Sequence, residues 1–451
     1  MNMSKTQVPF DYEEGKEPIK PSWRRRSEKF FNDSTFNGAL YVFASKSWIK
    51  RIFWAVVVLT AIGGFCAITV LNIITLVREP IATSITLTRE EELTFPAVTV
   101  CSLSLLNTTT LESGGDTVVN DLISLFDEVQ LNSDISGCRF YANRLASNTG
   151  RNVSWGELTN IAQNDLSALL KTCTYQGKKC SIGDFEPIST VAGRCYTFNG
   201  PSTNPSRTAQ GTGVRQGLRL ELSPDDQLFS LGNDHGFRIV VHNPDELPSP
   251  EAEGIAVGLS STVYIGMRQV DSVDKTKFSS GHQCRNNGNT DQELAFPEYP
   301  SYSPSSCQSA CFYKHAIEQC GCIERMFYAT PASSRYSQLR TCTAPDLCCA
   351  VQAFDAVDEN CDCPPRCSTV ERSLTISSST HDEGMVGVNV FYESLILETR
   401  ETTDSYTPWS LISDIGGNTG LFLGFTLLSG VELLMLVVGL IKDCCSGCCK
   451  R

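Results

Sequence analysis

The sequence predicts an α+β membrane protein in which two transmembrane helices flank a large, disulfide-rich extracellular domain with a central β-sheet and peripheral helices. Three observations carry this expectation. Ile52 to Val77 is a run of 26 residues without a charge, and Ile415 to Ile441 is a run of 27 whose single charge is Glu432. At about 1.5 Å per residue, each is long enough to cross a hydrocarbon layer of about 30 Å. Sixteen of the 21 cysteines lie between the two runs, an even number that reads as a disulfide framework in an oxidising compartment. The charge is also divided: residues 1–51 hold ten Lys or Arg against six Asp or Glu, residues 442–451 are +2, and of the whole-chain −13 the part between carries about −19. Positive flanks stay cytoplasmic, so both termini are expected inside the plasma membrane and the acidic middle outside. Such an acidic middle argues against nucleic acid as a partner and suits cations or basic peptides.

The expected segments are a cytoplasmic arm with a pre-membrane segment (1–51), a first span (52–77), the extracellular cysteine-rich domain (78–408), a second span (409–441) and a cytoplasmic cysteine-rich tail (442–451). The arm is polar, with three prolines and the run Arg24-Arg25-Arg26 beside anionic headgroups. From Ser34 to Lys50 it turns mixed apolar and aromatic, as an interfacial segment does, with a turn at Gly38 beside Asn37. Arg78-Glu79-Pro80 stops the first helix. Leu93 to Cys101 is β-branched and reads as a strand. Thr117–Val129 and Trp155–Thr172 read as helices by apolar spacing, and so does Gln308–Glu318 in the stapled region. Leu218–Glu221, Gly236–Val241, Ser261–Val270 and a return from Gly387 to Glu398 read as strands between Pro, Asp and Asn turns. Asn107-Thr-Thr and Asn152-Val-Ser are glycosylation sequons in the extracellular part.

Catalytic chemistry has no footing: there is no G-x-S-x-G, H-E-x-x-H or phosphate loop, and the five histidines (His235, His242, His282, His315, His381) have no metal spacing. No catalytic residue, metal site or cofactor is expected. Close pairs such as Cys320-x-Cys322 could suggest zinc, but sixteen extracellular cysteines favour disulfides. Cys444, Cys445, Cys448 and Cys449 directly follow a span, which suits palmitoylation, with metal binding as the weaker alternative. In the second span Gly416, Gly420 and Gly424 fall four apart on one helical face, Gly417 beside them. Such a face allows close backbone approach. For that stretch alone a dimerising anchor and a pore-lining helix are equal readings.

Phe95-Pro-Ala-Val-Thr-Val-Cys101, Gly193-Arg-Cys-Tyr-Thr-Phe-Asn199 and Val241-His-Asn-Pro-Asp-Glu246-x-Pro248 together resemble the ectodomain motifs of the degenerin, epithelial and acid-sensing sodium channel family. The resemblance runs nearly the whole chain in order and is closest to its peptide-gated and acid-sensing invertebrate-type members. It implies an amiloride-sensitive, sodium-selective channel in the plasma membrane, a homo- or hetero-trimer of related subunits in the lipid bilayer, opened by an extracellular ligand such as a neuropeptide, with sodium as permeant ion. It further implies the pairs Cys101–Cys195, Cys173–Cys180, Cys284–Cys367, Cys307–Cys363, Cys311–Cys361, Cys320–Cys349 and Cys322–Cys342. Cys138 and Cys348 remain, either joined to each other or free.

By the same resemblance Gly424-Phe425-Thr426 corresponds to the G-x-S selectivity filter, Gly420 to the amiloride-block position, Asp414 to the acid at the pore mouth, Ser413 to the position where bulky groups hold degenerins open, and Glu432 to an acid deeper in the pore. The chain departs from the pattern in places. Phe425 is bulky where the filter is usually small, Met435 replaces a second inner acid, and Val351 replaces one of two thumb aspartates while Asp355 is kept. Pro80 and Ile81 stand where acid sensors carry histidines, and a tryptophan before Cys284 is missing. Asp245, Glu246, Glu251 and Glu253 would form half of an acidic pocket. The departures argue against strong proton gating, leaving a proton-gated, mechanically gated or constitutive sodium channel of the same family as the alternative. Of other classes, a non-conducting receptor or adhesion protein would not need Asn418, Thr426 and Glu432 in a span. An ATP-gated channel would need clustered lysines that the acidic loop lacks.

Overall fold

The computed structural model describes residues 47–107, 121, 124–125, 135–149, 165–190, 193–223, 228–230, 235–277, 284–285, 301–322, 339–340, 342–343, 345–346, 348–349, 353, 361–382 and 384–448. Asn37, Gly38, Asn152, Val351, Asp355 and Cys449 lie outside the described residues, as do the side chains of Asn107, Glu251, Cys444, Cys445 and Cys448. The chain forms two compact units, Ala82–Thr403 and a second made of Met1–Ile81 with Asp404–Arg451. The second contains the helix α1 (Trp48–Val77).

The larger unit is built on two sheets whose strands are β1 (Ile81–Arg89), β2 (Ala97–Ser102), β3 (Leu170–Tyr175), β4 (Lys178–Lys179), β5 (Phe185–Thr190), β6 (Gly193–Phe198), β7 (Leu218–Leu222), β8 (Gly236–His242), β9 (Ile255–Gly258), β10 (Ser261–Asp274), β11 (Ser368–Thr380), β12 (Val386–Tyr392) and β13 (Ile396–Asp404). An eight-stranded sheet runs β1-β13-β10-β12-β7-β3-β4, with β11 paired to the other edge of β10. A five-stranded sheet runs β9-β8-β2-β6-β5. The expected central sheet is thus two sheets, the larger mixed and the five-stranded one antiparallel throughout. β10 is the axis of the larger one: β11 pairs antiparallel along its length, β12 pairs parallel with Ser261–Met267, and β13 pairs parallel with Val270–Asp274.

Period-two alternation decides which side chains enter the core. Leu218, Leu220 and Leu222 of β7, Val386, Val388 and Val390 of β12, and Val263, Ile265 and Met267 of β10 are buried in one cluster with Phe95, Phe198 and Phe237. The residues between them, Arg219, Glu221, Thr262, Tyr264 and Asn389, point to the opposite face. Each large apolar side chain so buried contributes about 1.5–3 kcal/mol.

The sequence motifs explain themselves at this level. Phe95 is fully buried, edge-on to the rings of Tyr175 at 5.0 Å, Tyr392 at 6.4 Å and Phe198 at 6.5 Å. Asn199 is fully buried with φ +57°, a left-handed conformation that a short polar side chain tolerates best. Its amide nitrogen donates to the Phe95 carbonyl at 2.6 Å and its oxygen accepts from the Arg207 amide at 2.8 Å, so one motif clamps the other.

His242 closes β8. Its Nδ1 lies 2.8 Å from the Asn243 carbonyl, which requires a donor there, and its Nε2 lies 2.8 Å from the Thr99 hydroxyl, itself 2.7 Å from that of Thr197. The neutral Nδ1–H tautomer satisfies both contacts. Burial pushes the imidazole down to about 4. A depressed value means the folded state takes the proton later than the unfolded one, so this stabilisation is complete above pH ~6.5 and is lost as pH falls toward 4. The purified protein is accordingly expected to lose thermal stability between those pH values, and His242→Asn, which keeps a donor to the Asn243 carbonyl, to show a shallower loss. An identical pH slope in the variant would move the effect to other groups.

One helical expectation changes. Of Trp155–Thr172, residues 155–164 lie outside the described residues; Leu166–Leu169 is a single helical turn, and Leu170 starts β3. The apolar spacing gives way there because Thr172, Cys173, Thr174 and Tyr175 are better strand formers and pair with β7. Of Thr117–Val129, Asp121, Ser124 and Leu125 are helical and the rest lie outside the described residues. Helix α2 (Ile135–Thr149) lies in a segment with no expected element, and Gln308–Glu318 sits inside the longer α3 (Pro304–Cys320). Ser303 caps α3, its hydroxyl accepting from the Ser306 amide at 3.0 Å, and Gly321 ends it with φ +64°.

Among the described residues eight disulfides are present: Cys101–Cys195, Cys138–Cys348, Cys173–Cys180, Cys284–Cys367, Cys307–Cys363, Cys311–Cys361, Cys320–Cys349 and Cys322–Cys342. Cys101 and Cys195 are register partners on β2 and β6. Cys138 on α2 and Cys348 are joined across 210 positions. Among the described residues no group of three His, Cys, Asp or Glu is placed to hold a metal.

Candidate functional site: a broken apolar helix and a partly buried ion pair

Among the described residues α1, 30 residues long, is the one helix that by length and apolar composition alone could cross a membrane. The second apolar stretch is two helices, α4 (Pro408–Leu423) and α5 (Leu427–Cys448). The portions Pro408–Leu423 and Leu427–Gly439 pass the same test only together, and they are bent by 88°.

The break is written locally in the residues. Pro408 opens α4 behind a Thr407 cap, whose hydroxyl accepts from the Ser410 amide at 3.2 Å. Gly424 ends it with φ +66°, its amide donating to the Gly420 carbonyl at 3.0 Å, while the Phe425 amide reaches the Thr419 carbonyl at 3.4 Å. Thr426 then starts α5: its hydroxyl accepts from the Ser429 amide at 3.3 Å, and the Ser429 hydroxyl accepts from the Thr426 amide at 3.3 Å. This reciprocal cap turns the three residues Gly424-Phe425-Thr426 into a non-helical corner between two capped helices. The Phe425 ring lies along α5, 3.7 Å from where a side chain on Gly430 would begin. A Cβ on Gly430 would stand in ordinary contact with that ring.

At the other end of α4, Asp414 accepts from the Tyr406 hydroxyl at 2.6 Å and from the Asn72 amide of α1 at 3.5 Å. A side chain on Gly64 of α1 would meet the Phe422 ring at 3.0 Å, so that glycine sets how closely the two helices pack. Positions Gly416 and Gly417 have open space where a Cβ would stand, and Gly420 nearly so. Ser413 is exposed and Glu432 half-buried. Sequence reasoning missed Tyr406, Asn72, Ser429 and Gly430 as partners. Only Thr426-x-x-Ser429, a capping-box spacing, carried a signal.

In the larger unit the Val241 to Glu246 motif builds a second polar cluster. Glu246 pairs with Arg366, and Arg372 donates to the Asn243 side-chain oxygen, while the Asn243 amide donates to the Val370 carbonyl of β11 at 3.0 Å. Burial pushes the Glu246 carboxyl up, against the opposing pull of the Asn243 amide and the Arg366 guanidinium. Asp245 accepts from the Ser301 hydroxyl. Arg340, paired with Asp346, holds that carboxyl down at about 2. Of the acidic residues expected in a pocket, Glu246 is therefore engaged by an arginine and Asp245 by a hydroxyl, while burial and the neighbouring Glu246 push the Glu253 carboxyl up. No local pattern pointed to Arg366, 120 positions from its partner.

A family model described as the amiloride-sensitive sodium channel matches residues 30–436. Among curated proteins the chain is 26% identical to the human bile acid-sensitive ion channel, over 93% of this chain and 87% of that one. It is 26% identical to zebrafish (Danio rerio) acid-sensing ion channel 2, over 81% and 73%, and 24% identical to chicken (Gallus gallus) acid-sensing ion channel 1, over 94% and 86%.

Proposed function

Because the chain belongs to the amiloride-sensitive sodium channel family, and is therefore an ion channel and not an enzyme, we propose that it forms a trimeric sodium-selective channel of the plasma membrane, opened by an extracellular ligand and blocked by amiloride. The observation that carries the reading is the non-helical corner Gly424-Phe425-Thr426 between two apolar helices. Irregular backbone at membrane depth is tolerated only where it faces water or protein. Its carbonyls, with the Thr426 hydroxyl, can replace the hydration oxygens of a permeating cation. A helix end also leaves up to about four carbonyls without intrahelical partners. In this reading α1 and the α4–α5 pair are the two spans, both termini are cytoplasmic, Asp414 and Glu432 place negative charge on the path, Ser413 bears on gating, and Gly416, Gly417 and Gly420 are its small face, Gly420 the amiloride position.

The stimulus we favour is a peptide or other small ligand, since the acidic ectodomain suits a cationic one. Proton gating is the second reading, favoured by one observation: Glu246 is pushed toward neutrality by burial. Two relatives are named for bile acid and acid, which fits extracellular chemical control.

Voltage clamp of the full chain tests this. Replacing sodium by a large impermeant cation is expected to abolish the inward current, and amiloride to block it. In Gly420→Cys a thiol reagent is expected to cut conductance. An unchanged current on sodium removal defeats the sodium reading, and an unreactive Gly420→Cys defeats the placement of this face on the path.

A further inference from the structure

The outward face of the larger sheet holds a groove of about 620 Å³ with no counterpart in the channel reading. It arises from register. Arg219 of β7 pairs with Asn389 of β12 on one side and with Thr174 of β3 on the other, and Thr174 pairs with Lys179 of β4. Alternation puts these side chains on the face opposite the leucine core. Lys171 and Lys179 line the groove with Arg219, and its one lining carboxylate, Glu221, accepts from the Thr172 hydroxyl at 2.9 Å. Among the described residues the Lys171 ammonium reaches only the Ala168 carbonyl, at 3.2 Å. Among the described residues Arg219 and Lys179 make no ion pair, and both are exposed. His381 lines the groove from the end of β11, and its Nε2 is buried without a hydrogen-bond partner.

Three cations facing one engaged carboxylate, in an extracellular part that carries about −19, is a local reversal of charge. The groove falls within the ~300–1,000 Å³ range of small-molecule sites, far more than one inorganic ion fills. Its lining is hydroxyl- and charge-rich, so its occupant is polar. A planar guanidinium matches a carboxylate through two parallel hydrogen bonds, with ammonium groups as flanking point charges.

We propose that this groove binds a small organic anion, its carboxylate held in the fork of Arg219, with Lys171, Lys179 and the His381 imidazole closing around it. The shared chemistry could also come from a carboxylate side chain of a second copy, and the test separates the two. The site stands whether or not the chain conducts sodium.

The probe is tricarballylate, and the readout is the thermal unfolding midpoint of the purified full-length channel at fixed ionic strength. A saturable rise is expected with tricarballylate and none with its uncharged triamide. In Arg219→Gln the half-saturating concentration is expected to rise about tenfold or more, as loss of a charge-assisted pair implies. Lys179→Gln should shift it in the same direction, and Arg340→Gln, whose ion pair lies elsewhere, should leave it unchanged. No saturable rise in the wild type, an equal response to the triamide, or an unchanged half-saturation in Arg219→Gln overturns the proposal. Dissociation of the Arg219→Gln assembly into single chains, with no tricarballylate effect on the wild type, overturns it in favour of a carboxylate from a neighbouring copy.

Discussion

Gly424→Val channels are expected to reach the cell surface in normal amounts and to carry at least about tenfold less sodium current than the wild type. Gly424 holds φ +66° and its amide caps α4. An L-residue in that conformation costs about 1–2 kcal/mol, a β-branched one more, and ~1.4 kcal/mol already shifts a population tenfold. The corner then favours another backbone path, and the carbonyls around it turn with it. Thr426→Val should do less, because it removes the cap on α5 but leaves the glycine, and Thr426→Ser should restore wild-type behaviour. Current per surface channel and the sodium–potassium reversal potential are the measurements. Wild-type current and selectivity in Gly424→Val would place permeation elsewhere.

The double change Cys101→Ala with Cys195→Ala is expected to cost about 4 kcal/mol or more, because the bond closes a 94-residue separation between two fully buried positions on neighbouring strands of the five-stranded sheet. Net domain stability is only about 5–15 kcal/mol, so most of the chain should be retained inside the cell. Removing Cys173–Cys180, which closes a separation of 7, should cost nearer ~2 kcal/mol and leave surface delivery largely intact. The ratio of surface to total protein for the two variants checks this. Equal losses would mean that native packing around each bond, and not chain entropy, sets the cost.

How much of this was legible depends on how local the cause is. Leu93 to Cys101 could be read as a strand because its β-branched residues are adjacent, and Gln308–Glu318 as a helix, though not the Ser303 cap and Gly321 stop that set the bounds of α3. The two membrane-length runs could be read from the lack of charge, and Gly424-Phe425-Thr426 as a motif, but not the 88° bend between its flanking helices. That angle depends on Gly424 capping one helix and Thr426 starting the next. The Glu246–Arg366 pair and the partners of Asp414 were hidden because nothing local links positions so far apart. The groove was hidden for a related reason: Lys171, Lys179, Arg219 and His381 sit on four strands or strand ends that are brought side by side only by register. Cys138 and Cys348 were a remainder in the sequence and are a bond in the structure.

β10 is one unbroken strand of 14 residues, and its two halves keep different company. Thr262 and Tyr264, in the half paired with β12, line the groove, while Val270–Asp274 pair with β13, the strand whose chain continues into α4. If opening shifts β13, any anion that prefers one position of β10 is thermodynamically linked to the gate, and linkage is reciprocal. The factor by which saturating tricarballylate changes the ratio of open to closed channels must then equal the factor by which its affinity differs between the two states. An anion bound equally well to both would occupy the groove and leave the gate where it was.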